Sequence, residues 1–315
     1  MTYYSSNYEV LSAWVNEESE SGRNGNESIW FENLDAVYSY GKHFPLAVRL
    51  ESGKYLVNGD NYSITTSQHQ SELFGIVPNR RRVEVSFSAL REIDSDLGTT
   101  GWHSRYHIDN IKRIKIVDYT ADDYIDTGRL DKYGDPVYEH VLGAALLEYE
   151  GRQFYSGIDE TGNGHQYFLT ELVDSDLHTV DEGLESMKPG LIKEIERGEH
   201  DRYTGKVKRQ GEWFFAELTD EFEETLMKRV KEEDIEIQKL YFLEGREGGT
   251  GHHKTTRGFK DMFHQYVRGT VRHQEGEHEM LRLYPETGVA QRDRKWWKAV
   301  ENRQVQSWSI NGDID

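Results

Sequence analysis

Residues 36–59, Ala36-Val37-Tyr38-Ser39-Tyr40-Gly41-Lys42-His43-Phe44-Pro45-Leu46-Ala47-Val48-Arg49-Leu50-Glu51-Ser52-Gly53-Lys54-Tyr55-Leu56-Val57-Asn58-Gly59, decide the fold class of this chain. Three short runs of β-branched, aromatic and aliphatic residues, Ala36 to Tyr40, Leu46 to Leu50 and Lys54 to Val57, are broken by Gly41-Lys42-His43 and Glu51-Ser52-Gly53. Runs of that length between glycine-containing turns predict short strands in antiparallel array. Asn58-Gly59 adds a tight turn, because both residue types tolerate positive φ.

Working outward, the run from Thr65 to Ile76 opens on hydroxyl residues and continues through Leu73, Phe74 and Ile76, which predicts a capped helix that Pro78 stops. Ser86 caps a second helix from Phe87 to Ile93, and Ile114 to Val117 reads as a strand. Val141 to Tyr149 and Gln153 to Ile158 form a hairpin about Glu150-Gly151, and Tyr167 to Leu172 is a further strand. Thr179 with Glu182 has capping-box spacing. Gly211 to Leu218 is a strongly apolar strand, and Asp220 to Lys231 is a helix whose acidic-to-basic order suits its dipole. Leu240 to Leu243 is a strand, followed by glycine-rich Gly245 to Gly251.

Strands and short helices mix without a βαβ rhythm, so the expected class is α+β, with antiparallel β-rich modules and short helices in two to three units. The expected divisions are 1–28, an N-terminal helix and mobile linker; 29–120, a β-rich module with helices; 136–235, an α+β module; and 236–315, a C-terminal β-hairpin module. The polar run from Ala121 to Pro136 serves as one boundary.

The chain has 57 Asp plus Glu against 38 Lys plus Arg, a formal net charge of −19, with 30% charged residues and no cysteine. Self-repulsion on this scale is relieved by concentrated salt, so the sequence predicts a halophilic, haloarchaeal source with a high-salt cytoplasm. Disulfides, thiolate metal sites and cysteine nucleophiles are excluded. No apolar run is long enough for a membrane-spanning helix, so no membrane partner is expected. Acidity argues against broad nucleic-acid binding, since phosphate contacts need clustered cations.

The stretch Tyr40 to Ala47, followed by Thr65-Thr66-Ser67-Gln68-His69-Gln70, resembles a small module of phage and archaeal mobile-element proteins. Ser156-Gly157-Ile158-Asp159-Glu160, Arg209-Gln210-Gly211-Glu212-Trp213-Phe214-Phe215 and Val267-Arg268-Gly269-Thr270-Val271-Arg272-His273 resemble a second, plasmid- or virus-borne family. Neither family has an established activity. The resemblance implies a mobile-element setting, with association with a virion as one location, and it carries over no catalytic residue.

Two constellations have chemical potential. A turn at Glu275-Gly276 would pair His273 with His278, Val271 with Met280 and Val267 with Tyr284; opposed residues bring their Cβ atoms about 4.5–5.5 Å apart. His273 and His278, with His252 or His253, would hold a divalent metal, or would act as base and acid in phosphodiester cleavage with Arg268 or Arg272 stabilising charge. The same residues also suit an exposed hairpin end with an Arg272–Glu279 ion pair. The second constellation is His43, Asn58, Asp60, Ser67 and His69, where a helix start offers amides to an anion; capping and packing are its structural alternative. Gly248 to Lys254 lacks phosphate-loop spacing.

The expected function is therefore a non-catalytic protein-interaction, structural or accessory protein with a protein partner. The alternative is a histidine-dependent, metal-assisted enzyme acting on nucleic acid.

Overall fold

The computed structural model describes residues 1–60, 63–100, 105–121, 123–130, 134–141, 143–158, 167–210, 213–245, 253–274, 280–284, 295–302 and 309–310. The class is α+β, with several largely antiparallel sheets. The chain forms two compact units: Met1–Asp159 with Gln166–Ser186 and Val305–Asp315, and Glu160–His165 with Met187–Gln304. The division at Ser186 and Met187 falls inside the expected 136–235 segment. No helix among the described residues is long and apolar enough to cross a membrane.

The first unit opens with β1 (Thr2–Tyr4), α1 (Asn7–Val15), β2 (Ser21–Asn24), β3 (Ile29–Glu32), β4 (Ala36–Ser39), β5 (Pro45–Arg49), β6 (Tyr55–Asn58), α2 (Ile64–Ile76) and β7 (Arg82–Val85). The seven strands lie side by side in chain order. The meander from β3 to β6 is antiparallel, with Ala36 opposite Val48 and Ala47 opposite Val57. Both edges, however, are parallel pairs joined through a helix: β1 with β2 through α1, and β6 with β7 through α2. Two βαβ units therefore stand at the edges of the meander, in a stretch read as having no βαβ rhythm. The buried face of α2 is Thr66, His69, Gln70 and Leu73, so its inward stripe is mostly polar and leaves no hydrophobic period to read.

The expected mobile linker is also corrected, because its centre is β2. Gly22 is needed there, since a Cβ would sit 2.6 Å from the Tyr4 ring and 2.8 Å from that of Phe31. Buried Asn24 replaces apolar contact with hydrogen bonds: its Nδ2 donates to Asn7 Oδ1 at 2.6 Å and Ser28 Oγ at 2.8 Å. A satisfied polar network holds a segment that hydrophobic burial alone would leave loose.

Val10, Leu11 and Trp14 of α1 and Leu73 of α2 pack on one sheet face against Phe31, Leu46, Tyr55 and Val57. The chain continues with α3 (Phe87–Ile93), β8 (Gly98–Thr99), β9 (Arg105–Tyr106), α4 (Ile108–Ile111), β10 (Lys115–Thr120), β11 (Asp123–Leu130), β12 (Pro136–Val141), β13 (Ala144–Tyr149), β14 (Arg152–Ile158), β15 (Tyr167–Glu171) and α5 (Val180–Ser186). Strands β10, β13, β14, β15 and Ser309–Ile310 form a second, antiparallel sheet. Its Ala145, Leu147, Phe154 and Leu169 meet Ala36, Val48, Leu56 and Val83 from the first sheet, with Phe87 and Leu90 between. Helices, sheet and second sheet thus make three layers. The run expected as a polar boundary supplies β11, which pairs with β12 as a separate two-stranded sheet.

The second unit contains α6 (Gly190–Glu196), β16 (Tyr203–Gln210), β17 (Trp213–Leu218), α7 (Asp220–Glu232), β18 (Gln238–Phe242), β19 (His253–Lys260), β20 (Gln265–His273), β21 (Leu281–Arg282) and β22 (Trp297–Glu301). The order is β16-β17-β22-β20-β19-β18, with β21 also on β20. Every residue of β17 is buried because both faces are covered. Trp213 and Phe215 join Val267, Val271 and Trp297 on one face. Phe214 and Ala216 meet Ile192 and Ile195 of α6 on the other. Leu218, Phe259, Tyr266 and Trp296 meet Leu226 and Val230 of α7 on that same face.

Candidate functional site

The hairpin expected to oppose His273 and His278 has a different register. Val271 pairs with Leu281 and Thr270 with Arg282, so the return strand is one residue out of step with the expected Val271–Met280 pairing. Gly269, at φ +99°, forms a bulge in which β20 carries an extra residue against β19. That extra residue helps set which β19 residue faces His273, a shift that a count outward from a turn cannot foresee. His278, like His252 and Glu279, lies outside the described residues.

The histidine opposite His273 is instead His253, across β19 and β20. The ring centroids are 4.9 Å apart, at 74°, and His253 is only 1% exposed. His273 lies two residues beyond Val271 on an alternating strand and shares the face of that core residue. Arg268 is on the other face, with its guanidinium 4.8 Å from the centre of the Trp296 ring. Exposed Arg272 donates from Nε to Met280 Sδ at 3.2 Å and opposes Lys254. The structure therefore joins His253 with His273 and separates both arginines from them. Among the described residues, no group of three or more His, Asp or Glu side chains could hold a metal ion.

The second constellation also divides. His69 is buried and shares a 2.8 Å hydrogen bond between its Nδ1 and Ser39 Oγ; burial pushes its pKa down. Ser67, on a different face of α2, lines a shallow depression with Ile64, Gln68, Ser71 and Glu72. His43 is exposed in the β4–β5 turn, its ring against Gly41. The α2 amide that an anion would use is taken by the Ser63 hydroxyl, which accepts from Thr66 N at 3.2 Å. Asn58 and Asp60 join a buried network, in which Ser88 N donates to Asp60 Oδ2 at 2.7 Å and Gln70 Nε2 donates to the Asn58 and Asp60 carbonyls. That network ties α2 and α3 to the ends of β6 and β7.

No protein-family model, no curated protein and no solved structure matches the chain. Its sites must be judged on their own geometry.

On that basis the densest group of perturbed side chains is one the sequence reading passed over. On the helix-covered face of the second unit, Lys298 of β22 sits in register between Ala216 of β17 and Tyr266 of β20. Burial pushes Lys298 down, against the Asp261 carboxylate, which favours its charge, and with a smaller contribution from Arg202. Burial pushes the Tyr203 and Tyr266 hydroxyls up to about 12. Burial and Lys298 lower His264. Asp261 accepts from His264 N at 2.7 Å and Phe263 N at 3.0 Å and pairs with Arg229. One signal was legible: strand alternation through Trp296-Trp297-Lys298-Ala299-Val300 puts a lysine on the inward face with Trp296. The other members come from distant segments.

Proposed function

We propose that this is a non-catalytic interaction protein of a haloarchaeal virus or plasmid, working in a high-salt cytoplasm and binding a protein partner through the β18 edge of its second unit. The observation that carries this reading is the make-up of β18. Among the described residues it ends the strand order of its sheet, and it exposes Leu240 (58%) and Phe242 (43%), while Tyr241 between them is buried. The turn between β19 and β20 adds Met262 (82%) and Phe263 (79%). An edge strand has unpaired backbone groups and invites a further strand, and exposed alternate side chains give such pairing its selectivity. Glu232, Glu233, Asp234, Glu236 and Glu244 flank β18, so the partner strand is one with basic neighbours.

The histidines support the same reading. His69 is engaged by Ser39 within the first unit, and His253 is enclosed within the second unit's sheet.

The test is site-specific photo-crosslinking from position 242 in molar KCl, followed by reassembly with the purified partner. One crosslinked partner whose binding is lost in Leu240→Lys and Phe242→Lys is the expected result. Unchanged binding in those variants would overturn the edge-strand reading. Metal-dependent nuclease activity abolished by His253→Ala and His273→Ala would replace it with the enzymatic one.

A further inference from the structure

We infer that the partner strand is a second copy of this chain, with β18 of one copy pairing antiparallel to β16 of the next, head to tail; this rests on the reading of β18 as a docking edge. Among the described residues the two strands are the ends of one sheet, in the order β16-β17-β22-β20-β19-β18. Every pairing along that order is antiparallel. With six strands alternating in direction, β16 and β18 run opposite ways. A second copy set beside the first, without being turned over, therefore brings its β16 antiparallel to β18, and the alternation continues across the junction.

The same placement matches faces. Phe242 alternates with Tyr241, which packs with Trp213 and Trp297, so Phe242 lies on the opposite face, the one that carries α6 and α7. On β16, Val207 and Arg209 lie opposite Ala216 and Phe214, which pack under α6, so they share that face. Across the junction, exposed Phe242 thus meets the strand of half-buried Val207 and of Arg209, whose aliphatic stem can cover an aromatic ring.

Charge decides which edges meet. The run Arg202 to Gln210 contains four cations, Arg202, Lys206, Lys208 and Arg209, and no carboxylate. The run Glu232 to Glu236, which leads into β18, contains four carboxylates and no cation, and β18 itself adds only the charge of Lys239. Antiparallel pairing sets the start of β18 beside the end of β16, so the carboxylates fall towards Lys208 and Arg209. Two β18 edges paired about a twofold axis give the carboxylates no basic strand to face, and two β16 edges set cations against cations. Lysine on an edge strand ordinarily deters pairing; here it deters every strand but an acidic one. A head-to-tail contact builds an open chain of copies unless its rotation closes a ring.

The experiment is sedimentation velocity of the full chain over a range of concentrations at fixed molar KCl, which suppresses the general repulsion between acidic copies. The parent is expected to grow past a dimer as concentration rises. Phe242→Lys, which spoils β18, and the double variant Lys206→Gln with Arg209→Gln, which discharges β16, are each expected to need at least tenfold more protein to associate. Circular dichroism matching the parent establishes that each variant is folded. Mixed in equal amounts, the two are expected to form a dimer through the one intact edge each retains, and to stop there. The proposal is overturned by a parent that stays monomeric, by one that stops at a dimer, or by a mixture that behaves as either variant alone. A monomeric parent that crosslinks from position 242 to a different protein overturns self-pairing and leaves the β18 reading standing; one that neither associates nor crosslinks overturns both.

Discussion

Ser39 and His69 are joined by a 2.8 Å hydrogen bond between Oγ and Nδ1, with both side chains buried where β4 meets α2. The bond occupies one ring nitrogen, and burial opposes protonation of the ring, so the folded pKa of His69 lies below its ordinary 6.5. Below pH 6.5 the unfolded chain takes up a proton that the folded chain refuses. Stability therefore falls with acidification through that window and levels off once the folded pKa is passed. His69→Asn keeps a polar group toward Ser39 but does not titrate. Urea denaturation between pH 5 and 7 is expected to show a shallower pH slope for His69→Asn than for the parent. Identical slopes would assign the acid sensitivity elsewhere.

Asp60 serves as a junction between α2 and α3. Its Oδ2 accepts from the buried Ser88 amide at 2.7 Å, while its carbonyl accepts from Gln70 at 3.0 Å. Asp60→Ala leaves a buried N–H without that acceptor, a loss of about 1–3 kcal/mol. Asp60→Asn retains an oxygen and is expected to lose less. Denaturant midpoints of the two variants at one salt concentration check the order, and an equal loss in both would mean that charge, not the hydrogen bond, is what the site needs.

A line of backbone distortion runs across the second unit. Leu240 has φ +61°, Thr256 lies opposite it, and Gly269 has φ +99°. A Cβ at Gly269 would approach the Thr256 Cβ to 2.7 Å. Gly269→Ala thus combines left-handed strain of about 1–2 kcal/mol with a clash, and is expected to destabilise by at least that much. Leu240→Gly removes strain at an exposed position and is expected to stabilise by up to about 1 kcal/mol, less the backbone entropy that glycine adds. Thermal melts of the pair should move in opposite directions.

The parts of the fold visible in the sequence are those with local signatures. Ser86 as cap of α3, the β13–β14 hairpin at Glu150-Gly151, and Thr179 with Glu182 all stand as expected. The Thr179 amide donates to Glu182 Oε2 at 3.2 Å, and the Glu182 amide donates to Thr179 Oγ1 at 3.1 Å. The parallel edges were hidden because α2 buries polar residues and β2 is held by the asparagine network rather than by apolar contact. The site residues failed to emerge for a different reason. Which histidine faces His273 depends on β19 lying beside β20 and on the bulge at Gly269, and both are matters of tertiary register. Lys298, Tyr203 and Tyr266 come together only because β16, β22 and β20 belong to one sheet and share a face.

The surface charge yields the last prediction. With a net charge of −19, the folded chain concentrates carboxylates that the unfolded chain can spread apart, so repulsion acts more strongly on the folded state. The Debye length shrinks from about 10 Å at 0.1 M salt to about 3 Å at 1 M, which removes all but the closest of these repulsions. Stability is expected to rise steeply with KCl over that range. General salting-out would also raise it, so a charge variant must separate the two effects. Glu224, Glu233 and Glu236 are exposed, and replacing all three with lysine moves the charge from −19 to −13, two units per substitution. If repulsion is the cause, this variant is more stable than the parent at 0.1 M KCl and gains less on going to 1 M. If the two proteins respond to KCl in parallel, screening is not what salt supplies.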